Sequence, residues 1–350
     1  MRNCEEQSPV AVQAITLLFS VMKRTFLLLL ALALSCLAMV ACGGKNSNTT
    51  TNAGTDYAAV EIPSFCADSA YQYCADQLSF GFRNPDSKGH DQCATYLAAK
   101  MRQWCDTVIV QNFSATLWNG KECRGKNIIA SLDPEKNNRV LLAAHWDSRL
   151  WADHDADEAN HKSPILGAND GASGVAALME MARVMSEKRP SMGVDFIFFD
   201  LEDQGLPEWA DTYKDNTWCL GSQYWAQYPH RPFYKAAYGI LFDMVGTETA
   251  RFTKEEVSRS YAPGLTKKIW DCASALGHGD KFVNQNTDAI LDDHLYINQI
   301  IGIPTADIVQ NSVGGNFFPY WHTIKDNLEC INRQSMKAVA DVTMAVLYAQ

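Results

Sequence analysis

The chain has 350 residues, with 30 Lys and Arg against 40 Asp and Glu and a formal net charge of −10. An acidic balance without a basic stripe argues against a nucleic-acid partner. Of the 11 cysteines, those after Cys42 form no CxxC pair and no finger spacing, which argues against a zinc ribbon.

Residues 1–41 read as a signal peptide. Met22-Lys23-Arg24 and the apolar run Thr25–Ala41 have the charged and hydrophobic regions of a secretory signal. The residues before Met22 fit no signal, so Met22 is an alternative start. The run ends at Cys42-Gly43-Gly44, which argues against a membrane-spanning helix. Met39-Val40-Ala41-Cys42 resembles the bacterial lipobox, with Met39 where Leu is more frequent, and Cys42 would then carry the lipid. Residues 42–56, rich in Ser, Thr, Asn and Gly, read as a flexible tether. The protein is expected to be exported and anchored by lipid on the periplasmic side of a bacterial membrane. Residues 57–350 then form one domain, long enough for a sizeable α/β core. In an exported protein some of the later cysteines are expected to pair, foremost within the Cys66–Cys123 group.

Helical periodicity is visible over Ser64–Gln77 and His90–Cys105, followed by strands at Thr107–Phe113, Asn127–Leu132 and Val140–Ala144. Next come a helix over Val175–Met185, a strand over Val194–Asp200, a long loop over Glu202–Asn216 and a helix around Ser222–Gln227. Ala236–Val245 reads as a buried strand and Leu265–Leu276 as a helix. Asp293–Ile301 reads as helical, Thr305–Gln310 as a strand and Asn332–Leu347 as a closing helix. Strands alternating with helices predict an α/β fold, a mixed, mostly parallel twisted sheet flanked by helices on both faces.

The carboxylates and imidazoles gather where these strands end. The strand at Val140–Ala144 runs into His145-Trp146-Asp147, whose first and third side chains share a face. Gly167-Ala168-Asn169-Asp170-Gly171-Ala172-Ser173-Gly174 is a small-residue turn leading into a helix, a place where open α/β sheets bind ligands. Glu202-Asp203 and Asp243 follow two later strands, Asp292-Asp293-His294 opens a helix, and Tyr320-Trp321-His322-Thr323 follows a glycine-rich loop. His145, Asp170, Asp203, Asp243 and His322 are donor types suited to zinc, spaced along successive strand–helix connections. The chain has no HExxH, nucleophile elbow or phosphate-binding glycine loop. The acidic stretch Trp151–Lys162, with two His, reads as a solvated loop near the site mouth, with cation binding as the alternative. Cys219 reads as packed or disulfide-bonded, with a reactive thiol as the alternative.

The order HxD, DGASG, ED, DM and WHT resembles the zinc aminopeptidase superfamily that includes the glutaminyl cyclases, over nearly the whole of residues 57–350. Asp292-Asp293-His294 and Phe317-Phe318-Pro319-Tyr320-Trp321-His322-Thr323 tilt the likeness toward glutaminyl-peptide cyclotransferase. By that resemblance one Zn²⁺ is held by Asp170, Asp203 and His322. Glu202 is the general acid–base, Asp243 and Asp292 bind the substrate amine or the tetrahedral intermediate, and Trp321, Phe317 and Trp209 wall the pocket. The substrates would be peptides or proteins with N-terminal glutamine, converted to pyroglutamate with release of ammonia. Asp203 departs from the Glu of animal cyclases, and GANDGASG is closer to an aminopeptidase. The alternative is therefore a di-zinc aminopeptidase, in which His145 and Asp243 become ligands to a second zinc. A lipid-anchored binding protein without chemistry is a third reading, which the presence of Glu202 and His322 disfavours.

Overall fold

The computed structural model describes residues 55–350 except 212, 213 and 313. The signal segment, Cys42 and the tether up to residue 54 lie outside the described residues. In chain order the elements are α1 (Ala67–Ser79), α2 (Lys88–Met101), β1 (Thr107–Thr116), β2 (Glu122–Leu132), β3 (Arg139–His145), α3 (Gly174–Glu187), β4 (Gly193–Phe199) and α4 (Leu220–Gln227). There follow β5 (Tyr238–Asp243), β6 (Phe252–Lys254), α5 (Glu256–Tyr261), α6 (Pro263–Ala275), β7 (Phe282–Asn286), α7 (Asp293–Tyr296), β8 (Thr305–Val309) and α8 (Arg333–Tyr348).

Six strands form one sheet in the order β1-β2-β4-β3-β5-β8. β1, β2 and β4 pair antiparallel, whereas β4, β3, β5 and β8 run parallel. The four parallel strands are buried along their whole length, as expected where helices cover both faces. Side-chain alternation assigns the faces. Val140, Leu142 and Ala144 of β3 join Phe196, Phe198, Ile240 and Phe242 in the core formed with α1, α3, α6 and α8. Leu141 and Ala143 join Ile197, Phe199 and Leu241 on the other face, against Trp225 of α4 and Ile297.

β3 pairs with β4 on one side and β5 on the other. The chain thus leaves β3 toward one edge and later crosses to the other, opening a crevice at the carboxyl ends of these strands. At the start of β3, Arg139 is clamped: its Nε and Nη2 donate to the two oxygens of Asp195 at 2.7 and 2.6 Å. Tyr234 and Ser131 hydroxyls also donate to Asp195, each at 2.6 Å. Burial pushes the Asp195 carboxyl up, but Arg139 outweighs it and holds it below its usual range.

The helix expected over Asp293–Ile301 is present: an α turn, α7, widens into a π-helical turn over Ile297–Ile301 that ends at Gly302 with φ +73°. β6, α5 and β7 were not foreseen, because each is short and β7 is largely exposed. All eight cysteines among the described residues are free, so the expected pairing within Cys66–Cys123 is absent there. Cys74, Cys93, Cys105 and Cys123 are instead buried as small apolar residues, and burial pushes each thiol up to about 12. No described helix is long and apolar enough to cross a membrane.

Candidate active site

The turn after residue 166 is held from outside before it can hold anything itself. The buried Arg83 guanidinium donates to the carbonyls of Trp146, Leu166 and Gly167. Asp326 accepts from the backbone N–H groups of Asn169 and Asp170 at 2.8 and 3.1 Å. Burial, with the charge of Asp170 beside it, pushes Asp326 up to about 8. At Gly171 φ is +97°, and a Cβ there would lie 2.7 Å from the Asp147 carbonyl and 3.0 Å from the His145 ring. Glycine is required by both its conformation and this close approach, and together these restraints fix Asp170 beside His145.

Asp147 performs the same service for the loop after β4. Its carboxylate accepts from Glu202 N at 3.1 Å, Asp203 N at 3.2 Å and Gln204 Nε2 at 2.9 Å. Arg149 then anchors Asp203 by donating to its carbonyl at 3.0 Å, while pairing with Asp153. The arginine also lies over the Trp218 ring, 4.6 Å from its centroid.

His322 has φ +54°, which turns its ring inward between Trp321 and Trp218 at centroid distances of 3.7 and 5.9 Å. Its Nε2 lies 3.0 Å from Asp203 Oδ1 and 3.6 Å from Asp170 Oδ2. The short Asp203 side chain therefore reaches the imidazole. Donor atoms of Asp170, Asp203 and His322 all fall within 4.8 Å of one another, and so do those of His145, Asp170 and Asp243. His145 Nε2 is 3.0 Å from Asp170 Oδ1 and 3.3 Å from Asp243 Oδ1. Buried yet without hydrogen-bond partners are Asp170 Oδ2, Asp203 Oδ2, Asp243 Oδ1, and both ring nitrogens of His145. Buried polar atoms are normally satisfied. Orphaned oxygens and nitrogens converging in this way fit a zinc ion at either of the two three-donor groups.

The electrostatics point the same way. Burial pushes Glu202 and Asp203 well above their usual ranges, with neighbouring carboxylates adding to the effect. Burial, Asp292 and Asp170 push Asp243 up to about 7 against the pull of His145. Burial and the nearby Arg149 hold His322 well below the usual imidazole range, so it is a neutral ligand type. Burial lowers His145 too, but Asp147, Asp170 and Asp243 outweigh it and raise it well above. A divalent cation would offset this crowding of buried acids.

Beside the cluster lies a cavity of about 130 Å³. Glu202, Asp243 and Asp292 line it from the acidic side, and Trp218, Phe317 and Trp321 from the aromatic side. Asp292 caps α7 and is buried with one oxygen unpartnered. His294 lies against Glu255, at 3.2 Å, and Asp307, in a buried group that also includes Asp292.

Most of the expected residues are thus brought together, and Trp209 is not. It stands 37 % exposed and packs edge-on to Trp151 and flat against His161, outside the cavity lining. Trp218 lines the wall instead. The Trp151–Lys162 stretch is less solvated than expected. Ala152, Asp153 and Asp155 are buried, and Asp155 accepts the Ile324 N–H beside His322. Cys219 is packed and unpaired, its thiol donating to Glu202 Oε1 at 3.1 Å. Sequence reading also passed over Asp147, Arg149 and Asp326 as supports. Asp147 stood inside the His145-Trp146-Asp147 motif already singled out.

Residues 127–347, more than half of the chain, match the family profile described as Peptidase family M28. The fold is similar to a glutaminyl cyclase of Tannerella forsythia, 48% identical, TM-score 0.80, over 82% of this chain and 100% of that one. It is equally similar to a Bacteroides thetaiotaomicron glutaminyl cyclase bound to N-acetylhistamine, 46% identical, TM-score 0.82, over 83% and 100%. A structure described as a leucine aminopeptidase precursor of Bacteroides thetaiotaomicron is also 46% identical, TM-score 0.81, over 83% and 99%. Curated relatives include zinc metalloproteases, an aminopeptidase and a cyclotransferase, and the chain spans from 18% to 62% of their lengths. Fold, profile and an acidic cluster suited to zinc agree: the chain belongs to peptidase family M28.

Proposed function

We propose that this protein is a glutaminyl cyclase that converts N-terminal glutamine of peptides or proteins to pyroglutamate, with one Zn²⁺ held by Asp170, Asp203 and His322. The observation that carries the reading is Glu202, a buried carboxyl facing a small aromatic-walled cavity beside that three-residue set. The cyclases of Tannerella forsythia and Bacteroides thetaiotaomicron support it, being similar over their whole length.

Bound zinc supplies Lewis-acid polarisation of the substrate's γ-carboxamide carbonyl. The chain's own residues do the rest. The substrate α-amine attacks the carbonyl carbon of that γ-carboxamide, the C–N bond of a five-membered lactam forms, the carboxamide C–N bond breaks, and ammonia leaves. Glu202 accepts the amine proton and returns it to the leaving nitrogen, a task suited to a carboxyl raised by burial. Asp243 and Asp292 hold the amine beside Glu202, on the acidic side of the cavity. Trp218, Phe317 and Trp321 exclude water, which would otherwise hydrolyse the carboxamide. The residues before 55 support an exported lipoprotein, anchored through Cys42 on the periplasmic side of a bacterial membrane.

One observation favours a second reading, a di-zinc aminopeptidase. His145, Asp170 and Asp243 form another three-donor group that shares Asp170 with the first. The test is ammonia release from a Gln-initiated peptide alongside Leu-peptide cleavage, on zinc-quantified protein. Ammonia with about one zinc per chain and no Leu cleavage is expected, in keeping with a catalytic zinc on three protein ligands and a fourth position open to substrate. Leu cleavage with two zincs and no ammonia overturns the cyclase reading.

A further inference from the structure

Cys219 touches the Glu202 carboxyl, and the reaction gives it no task. It precedes α4 in the left-handed region, φ +56°, and its N–H donates to the Glu202 carbonyl at 2.9 Å. Its thiol is fully buried and lies 3.1 Å from Glu202 Oε1. Asp292, 4% exposed, uses Oδ1 to accept the Asp293 N–H and leaves buried Oδ2 without a partner. One donor atom each from Glu202, Cys219 and Asp292 fall within 4.8 Å of one another. This trio shares no residue with Asp170–Asp203–His322 or with His145–Asp170–Asp243. Glu202 and Asp292 open onto the cavity, so an ion can reach the trio from solvent.

One sulfur and two carboxylates suit borderline and soft divalent ions, Zn²⁺ and Cd²⁺ foremost, and not Mg²⁺ or Ca²⁺. The surroundings are acidic: Asp293 stands close enough to act on both Glu202 and Cys219, against the single opposing His145.

We propose that Glu202, Cys219 and Asp292 form an inhibitory site for a second, thiophilic divalent cation. On binding, the Cys219 S–H bond breaks, its proton passes to water and the sulfur electron pair is donated to the ion. No oxidant or reductant takes part. The ion occupies Glu202 and Asp292 together, so the proton carrier and one amine-holding group are lost at once. The binding stands on geometry alone, whereas the inhibition rests on the cyclase reading.

The test is a Cd²⁺ titration of zinc-loaded enzyme in a Cys66→Ser/Cys330→Ser background, which removes the described thiols that are not buried. Expected are one cadmium per chain beyond the resident zinc, an ultraviolet thiolate-to-cadmium band, and loss of ammonia release that runs parallel to that band. Adding Cys219→Ser, which keeps a donor toward Glu202, should abolish that band and weaken cadmium binding about tenfold or more. An undiminished band and affinity in Cys219→Ser overturn the proposal, as does cadmium that only displaces zinc one for one. If Cys219→Ser fails to fold, Asp292→Asn in the same background must weaken the cadmium band's titration, and an unchanged midpoint overturns the site. Ammonia release absent from every Gln-peptide would sink the cyclase reading, while the cadmium band would still decide on the site.

Discussion

Glu202 sits at the meeting point of three supports. Asp147 accepts its N–H, Cys219 donates to its carboxyl, and the His145 ring lies 4.0 Å from Oε2. Burial raises it first, and Asp292 and Asp203 add to that, so it holds its proton to a higher pH than an ordinary carboxyl near 4. Cyclisation needs Glu202 ionised and the substrate α-amine neutral, and both requirements are met better as pH rises. The expected kcat/KM for a Gln-peptide therefore climbs from pH 5 toward about 8, where a free α-amine titrates. Glu202→Gln should lower kcat by about 10²–10⁴-fold, the span of a general acid–base, with zinc content unchanged. A flat pH profile, or a variant with full kcat, would count against Glu202 as the proton carrier.

At the scale of elements, β2, β3 and β4 are tied together by the Arg139–Asp195 pair, which is buried on both sides. Removing one partner of such a pair leaves an uncompensated charge in the core. Asp195→Ala should cost about 3–5 kcal/mol in urea unfolding, since the stranded Arg139 keeps its desolvation without its anion. A loss under 1 kcal/mol, comparable to an exposed ion pair, would contradict this account. The pair lies at the start of β3, whereas His145 closes its other end. Because β3 carries His145 and borders both β4 and β5, disorder there would reach Glu202 and Asp243 together. The variant is thus expected to lose zinc affinity along with stability.

For the whole molecule, the donors to the proposed zinc come from three distant stretches: the turn at Asp170, the loop at Asp203, and His322 near the end of the chain. An ion bound only by the folded state stabilises it by mass action. Chelation should lower the Tm, and zinc restored at about 1,000 times its Kd should return about 4 kcal/mol. A Tm indifferent to zinc would argue that these residues do not form a metal site.

The fold class and most of the site were legible in the sequence for separable reasons. The buried parallel strands are short apolar runs, and helices with one apolar face alternate with them, so the layer order follows from local pattern. Asp170 and His322 were picked out by the resemblance, since neither ends a strand, whereas His145, Glu202, Asp203 and Asp243 were legible because a parallel sheet brings the carboxyl ends of its strands to one edge. Position along the chain was enough to make them neighbours. Trp209 was misplaced and Trp218 missed for the opposite reason. Both lie in or just after an irregular loop, where no periodicity relates sequence position to direction. The free cysteines were likewise decided by packing, because a thiol's partner depends on which other sulfur the fold brings near. Local pattern by itself determined the sheet, its active edge and the acids that gather there. Only the tertiary structure decided which aromatic ring closes the cavity and which neighbours orient each ligand, since those depend on contacts between residues far apart in the chain.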